Sequence, residues 1–138
     1  MTPINRVNSV RTTAYIRSWG YEDQPLTAQQ EQKLEDLLDR YHAVQTANVV
    51  TEEDVTEAVL GTPKAFSELT AAEANRVAAH LLVRIALHTH FADRLPKPPP
   101  AFADEVAWLD RDRRLMERVI SRAGWDTAEY FMPAHPLD

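Results

Sequence analysis

The chain has 138 residues, 44% hydrophobic and 26% charged, with three glycines and no cysteine, which is the make-up of one ordinary globular unit able to build a core without disulfides. The missing cysteine excludes thiolate nucleophiles, cysteine zinc sites and disulfides. The net charge of −6 is uneven, because residues 1–20 carry three arginines and no acid while residues 21–60 set ten acids against Lys33 and Arg40; such a chain is a poor general binder of phosphate backbone, although its basic N-terminal arm allows local contacts.

Capped helices follow one another along the chain, and strand patterning is nearly absent. Residues 9–19, SVRTTAYIRSW, read as a first helix that starts at Ser9 and stops at Gly20, with Val10, Ala14 and Ile16 facing inward. Thr27 and Gln30 then have capping-box spacing, so that each side chain satisfies the other's orphan amide. Leu34, Leu37, Leu38 and Tyr41 continue from there as one apolar stripe. A second box, Thr51 with Asp54, opens a short helix over 52–60 with Val55, Val59 and Leu60 apolar. Glu52, Glu53 and Asp54 complement the positive end of its dipole, and Gly61 is placed to end it in a left-handed turn.

Thr70 and Glu73 form a third box ahead of the longest helix, expected over 70–95 and stopped by Pro96. Val77, Ala78, Leu81, Leu82 and Ile85 share one broad face, and Val83 and Leu87 add a second apolar side. A helix apolar on more than one side is covered by several neighbours, so this one is expected at the centre of the fold. PKPPP at 96–100 is a semi-rigid polyproline spacer. A further helix is expected over 102–123, with Phe102, Val106, Leu109, Met116, Val119, Ile120 and Ala123 as its stripe and Gly124 as its end. A last short turn is expected in WDTAEYFM, capped by Asp126 and Glu129. The fold expectation is an all-α single domain over 1–138, a compact bundle of about five helices.

HLLVRIALHTH, residues 80–90, holds three of the five histidines. With 100° per residue, His88 lies about 80° to one side of His80 and His90 about 80° to the other, so the three do not converge on one ion. His88 shares the sector of Val77, Leu81 and Ile85 and is expected to face inward as a hydrogen-bonded core histidine. No metal ligand set, cofactor motif, nucleophile elbow or phosphate-cradling loop is recognisable. A small enzyme would need His80 or His88 to meet a carboxylate.

Arg111, Arg114, Arg118 and Arg122 recur at three- and four-residue spacing along one side of the 102–123 helix. This ridge suits an acidic partner or nucleic acid, whereas Asp110, Asp112 and Glu117 beside it favour a solvated, salt-bridged face. Aromatic residues gather near both ends, Tyr15, Trp19 and Tyr21 at one and Trp125, Tyr130 and Phe131 at the other. They either pack the ends together or offer an interaction hot spot.

Three stretches, PLTAQQEQKLEDLLDRYH, TEEDVTEAVLG and ELTAAEANRVAAHLLVRI, together resemble a small helical module found at the C-terminal end of phage single-strand annealing and recombination proteins. The resemblance covers residues 25–85 and rests on Leu34, Leu37, Leu38, Leu69, Thr70, Glu73 and Ala74. It implies a phage or mobile-element accessory protein. The annealing core of that family and its basic DNA surface have no counterpart here.

The expected function is therefore non-enzymatic: a helical adaptor or regulatory domain that binds another protein through Arg111, Arg114, Arg118, Arg122, Trp125 and Tyr130, with no cofactor and no metal. The alternative is a nucleic-acid accessory protein using the same arginines with Arg6, Arg11 and Arg17, and the third reading is the histidine-carboxylate enzyme. A homo-oligomer is compatible with all three. No apolar run approaches the roughly 18 residues of a membrane span, and the N-terminus has no apolar signal segment, so a cytoplasmic location is expected.

Overall fold

The computed structural model describes residues 10–18, 26–41, 49–94, 105–124 and 136–138. Among them the chain forms α1 (Val10–Ser18), α2 (Ala28–Arg40), α3 (Glu52–Leu60), a 3-10 turn (Phe66–Glu68), α4 (Ala71–Arg94) and α5 (Glu105–Ala123), with no strand. The architecture is an all-α bundle, as the helical periodicity predicts.

Local chemistry sets the helix starts. Thr27 and Gln30 exchange side chain to backbone hydrogen bonds of 3.1 and 3.1 Å at the head of α2. Thr51 with Asp54 does the same for α3, at 3.1 and 3.1 Å, and Thr70 with Glu73 for α4, at 3.0 and 3.1 Å. Each box satisfies two amides that have no partner inside the helix. The donated N–H groups hold the Asp54 carboxyl below its ordinary range, and Glu73 is lowered likewise by the Thr70 amide and by Lys64. Gly61 ends α3 at φ 86°, in the left-handed region where a Cβ is strained.

Two apolar clusters stack along α4. Its first half contributes Ala74, Val77, Ala78 and Leu81, packed with Val55 and Val59 of α3, Phe66 and Leu69 around the turn, and Leu115, Met116 and Val119 of α5. Its second half contributes Val83, Leu87 and Phe91, packed with Tyr15 and Ile16 of α1, Leu26, Leu34 and Leu38 at α2, and Leu137. The Tyr15 and Phe91 rings lie 6.0 Å apart at 57°, an edge-biased aromatic contact. Having apolar residues on two sides therefore places α4 at the centre of the fold, as expected.

The inward face of α1 corrects the sequence expectation. Ile16 is buried as expected, but Val10 is 90% exposed and Ala14 is also exposed, and Thr12 and Tyr15 are buried in their place. Tyr15 fills the space over Phe91, and one turn earlier on the same side of the helix Arg11 reaches Glu35 (3.3 Å) and Asp39 of α2; together these contacts fix the rotation of α1. In α5, Met116 and Val119 are buried as expected, but Leu115, absent from the predicted stripe, is buried too. The PKPPP spacer, Phe102, the Trp125–Phe131 aromatic group and the last predicted turn lie outside the described residues.

Two stability outcomes follow from this packing. Leu81→Ala empties a fully buried position between α3, α4 and α5 and is expected to cost about 2 to 5 kcal/mol in urea unfolding. Gly61→Ala forces a Cβ into the left-handed cap and is expected to cost about 1 kcal/mol in the same assay.

Candidate functional site

At residues 77, 81, 84, 88 and 91 of α4, spacings of four and three put Val77, Leu81, Arg84, His88 and Phe91 on one buried strip. The matching strip of α5, at 109, 112, 116 and 119, includes Asp112. Where the two strips face each other, Arg84 Nε donates to Asp112 Oδ2 at 2.9 Å, and both side chains are fully buried. Arg111 Nη2 stands 3.6 Å from the other carboxylate oxygen, Oδ1. The arrangement corrects the reading of Asp112 as part of a solvated face: its carboxylate enters the core. A charge is stable there only because a guanidinium meets it.

His88 is buried one turn beyond Arg84, and its imidazole is pushed down to about 4, first by burial and then by the positive charges of Arg84 and Arg111. It is therefore neutral at physiological pH. Arg111 is lowered by burial, against which Asp112 acts. His88 faces inward as expected. His80 and His90 are buried as well, which their divergence round the helix did not foretell; His80 meets the edge of Tyr41 at 5.2 Å and His90 that of Phe91 at 5.5 Å. Divergent residues on one helix are all buried when neighbours cover it on more than one side. Among the described residues no three or more histidines and acids are grouped so as to hold a metal ion.

The predicted arginine ridge divides into separate environments. Arg111 is turned partly inward to Asp112. Arg114, 72% exposed, pairs with Asp110 at 2.9 Å, and the exposed Arg118 forms an ion pair through Nε with Glu52 Oε2 at 3.0 Å. Arg122 Nε donates to the Leu69 carbonyl at 2.6 Å. The last two contacts fasten α5 to the corner between α3 and α4, where Glu52 Oε1 also accepts the Phe66 amide at 2.8 Å. Arg113, not among the ridge residues expected from sequence, is exposed and forms no ion pair with the described residues. An open groove of about 600 Å³ runs along this corner, lined by Glu52, Phe66, Ser67, Arg118, Ser121 and Arg122. Trp125 and Tyr130 lie outside the described residues, as does Arg6. Arg11 is engaged by Glu35 and Asp39, while Arg17 is exposed.

Sequence reasoning missed Arg84, Asp112 and the groove floor Phe66. The first two carried a signal, since each charge interrupts an apolar strip at a core position. Phe66 carried none, because its burial depends on α5 returning to cover a turn far away in sequence.

Breaking the buried pair from one side, by Arg84→Met or Asp112→Leu, is expected to cost about 3 to 5 kcal/mol, and combining the two changes is expected to recover most of that loss in a double-mutant cycle read by urea unfolding. For pH, His88 binds its proton less readily folded than unfolded, so the unfolded state takes up more protons between about 6.5 and 4. Stability is therefore full above that window and falls as pH drops through it, by on the order of 3 kcal/mol from this group. His88→Gln is expected to flatten that part of the stability profile relative to the parent chain. Compared with known proteins, the chain matches no family model, no curated protein and no solved structure.

Proposed function

We propose that the protein is a non-enzymatic interaction module that binds another protein through the outward side of α5. The observation that carries this reading is the exposure of Arg113, Arg114 and Arg118 on α5, the last of which lines an open groove. Arginine is favoured at protein interfaces because its planar fork pairs carboxylates with fixed geometry and stacks on apolar surface. The titratable cluster of Arg84, His88 and Asp112 is closed off from solvent, an arrangement suited to joining helices rather than to turning over a substrate.

The second reading, a nucleic-acid accessory role, draws on the same arginines. Asp110, Glu117 and Glu52 interrupt that surface, and Arg11 is engaged by α2, so a protein partner is the better match to the mixed charge. The phage-accessory assignment and a cytoplasmic location belong to this proposal and rest on the sequence patterns alone. No helix among the described residues is long and apolar enough to cross a membrane.

Arg113→Ala with Arg114→Ala removes exposed charge without touching the core, so the variant is expected to keep the parent's helical circular dichroism and unfolding midpoint. Its affinity for a partner captured by the parent chain is expected to fall about tenfold, or about 1.4 kcal/mol. Undiminished capture would remove the outer arginines from the reading. Tight DNA or RNA binding that weakens steeply with salt would favour the second reading instead.

A further inference from the structure

The groove beside α5 has a charge and a shape that specify its occupant. Arg118 Nε lies 3.0 Å from Glu52 Oε2 in an ion pair, and Arg122 Nε donates to the Leu69 carbonyl at 2.6 Å. A guanidinium anchored through Nε is fixed in its plane and keeps its two Nη groups for a ligand. Phe66, buried beneath them, supplies an apolar floor, and the exposed Ser67 and Ser121 stand at the rim. Ser121 Oγ donates back to the Glu117 carbonyl at 3.4 Å, which leaves its oxygen to accept an incoming N–H.

We infer that this groove binds an acidic peptide segment, one carboxylate received by the Nη groups of Arg118 and Arg122 and a neighbouring apolar side chain laid toward Phe66. The inference rests on the reading of the protein as a protein-binding module and names the chemistry of its partner. Charge complementarity selects the occupant. Two arginines and Glu52 give the lining a single excess positive charge, and the adjoining elements add the exposed acids Glu53 and Glu68. One carboxylate answers that excess, whereas a polyphosphate strand would bring successive negative charges against the acids of α3 and the turn.

The test is a heteronuclear NMR titration of the full chain with the acetylated, amidated tetrapeptide Leu-Asp-Leu-Gln, which carries one carboxylate, using Leu-Asn-Leu-Gln as the neutral control. The acidic peptide is expected to shift the amides of Phe66, Ser67 and Ser121 and the Nε–H signals of Arg118 and Arg122. Ser121→Glu leaves the two arginine anchors intact, places a carboxylate of the chain's own in the groove and is expected to weaken binding about tenfold. Glu53→Gln removes an exposed acid next to the groove, leaves the contacts of Arg118 and Arg122 in place and is expected to tighten binding about threefold.

Equal shifts with the neutral peptide, or no shift of groove signals with the acidic one, would overturn the inference. Stronger perturbation of the groove by a short single-stranded DNA would overturn it in favour of nucleic acid. If the titration is flat while Arg113→Ala with Arg114→Ala still loses the captured partner, only the groove inference falls. If the peptide binds the groove while that variant captures normally, the groove stands and the outer arginine strip is dropped.

Discussion

The buried contact between Arg84 and Asp112 is the constraint on which the rest of the bundle depends. Both side chains are fully buried at 2.9 Å, and each is costly in a core without the other. Apolar side chains alone leave helix rotation loosely set, since one aliphatic group packs nearly as well as its neighbour. A carboxylate that must meet a guanidinium does not slide. The pair therefore fixes which face of α5 lies on α4, and so which arginines of α5 are left facing outward.

That dependence gives the arginines of α5 different work despite their even spacing. Arg111 is drawn partly inward by Asp112, Arg118 and Arg122 hold the α3 to α4 corner, and Arg113 and Arg114 face away from the core. Spacing along a helix shows which residues share a side. What that side meets is decided by the neighbouring elements. The structural contacts and the proposed binding contacts of Arg118 and Arg122 use different nitrogens of one guanidinium, so fastening the corner and receiving a ligand do not compete.

The parts of the fold legible in the sequence are those encoded within a few residues. The pairs Thr27 with Gln30, Thr51 with Asp54 and Thr70 with Glu73 marked three helix starts, and Gly61 marked an end, because each satisfies or frees backbone groups in its own turn. The central place of α4 was legible from its two apolar sides. The orientation of α1 was not, because a short helix with Val10, Ala14, Tyr15 and Ile16 offers competing faces and the choice was made by Phe91 and α2. Asp112 was misread because charge outweighed position: its place between Leu109 and Met116 was that of a core residue. The groove was illegible for a further reason, being formed by α5 closing over a turn some fifty residues earlier.

A 24-residue helix such as α4 is about 36 Å long, and its two halves serve different neighbours. α3, the turn and the second half of α5 close one cluster, while α1, α2 and Leu137 close the other. Such a division makes the molecule a pair of layers sharing one axle, and cooperative opening follows units of this kind. The α1 and α2 layer packs chiefly on the second half of α4, with Tyr41 at the end of α2 reaching back to His80. Amides there can exchange with solvent through their own opening while the α3 corner remains closed, so the two ends of the protein keep separate local stabilities within one fold.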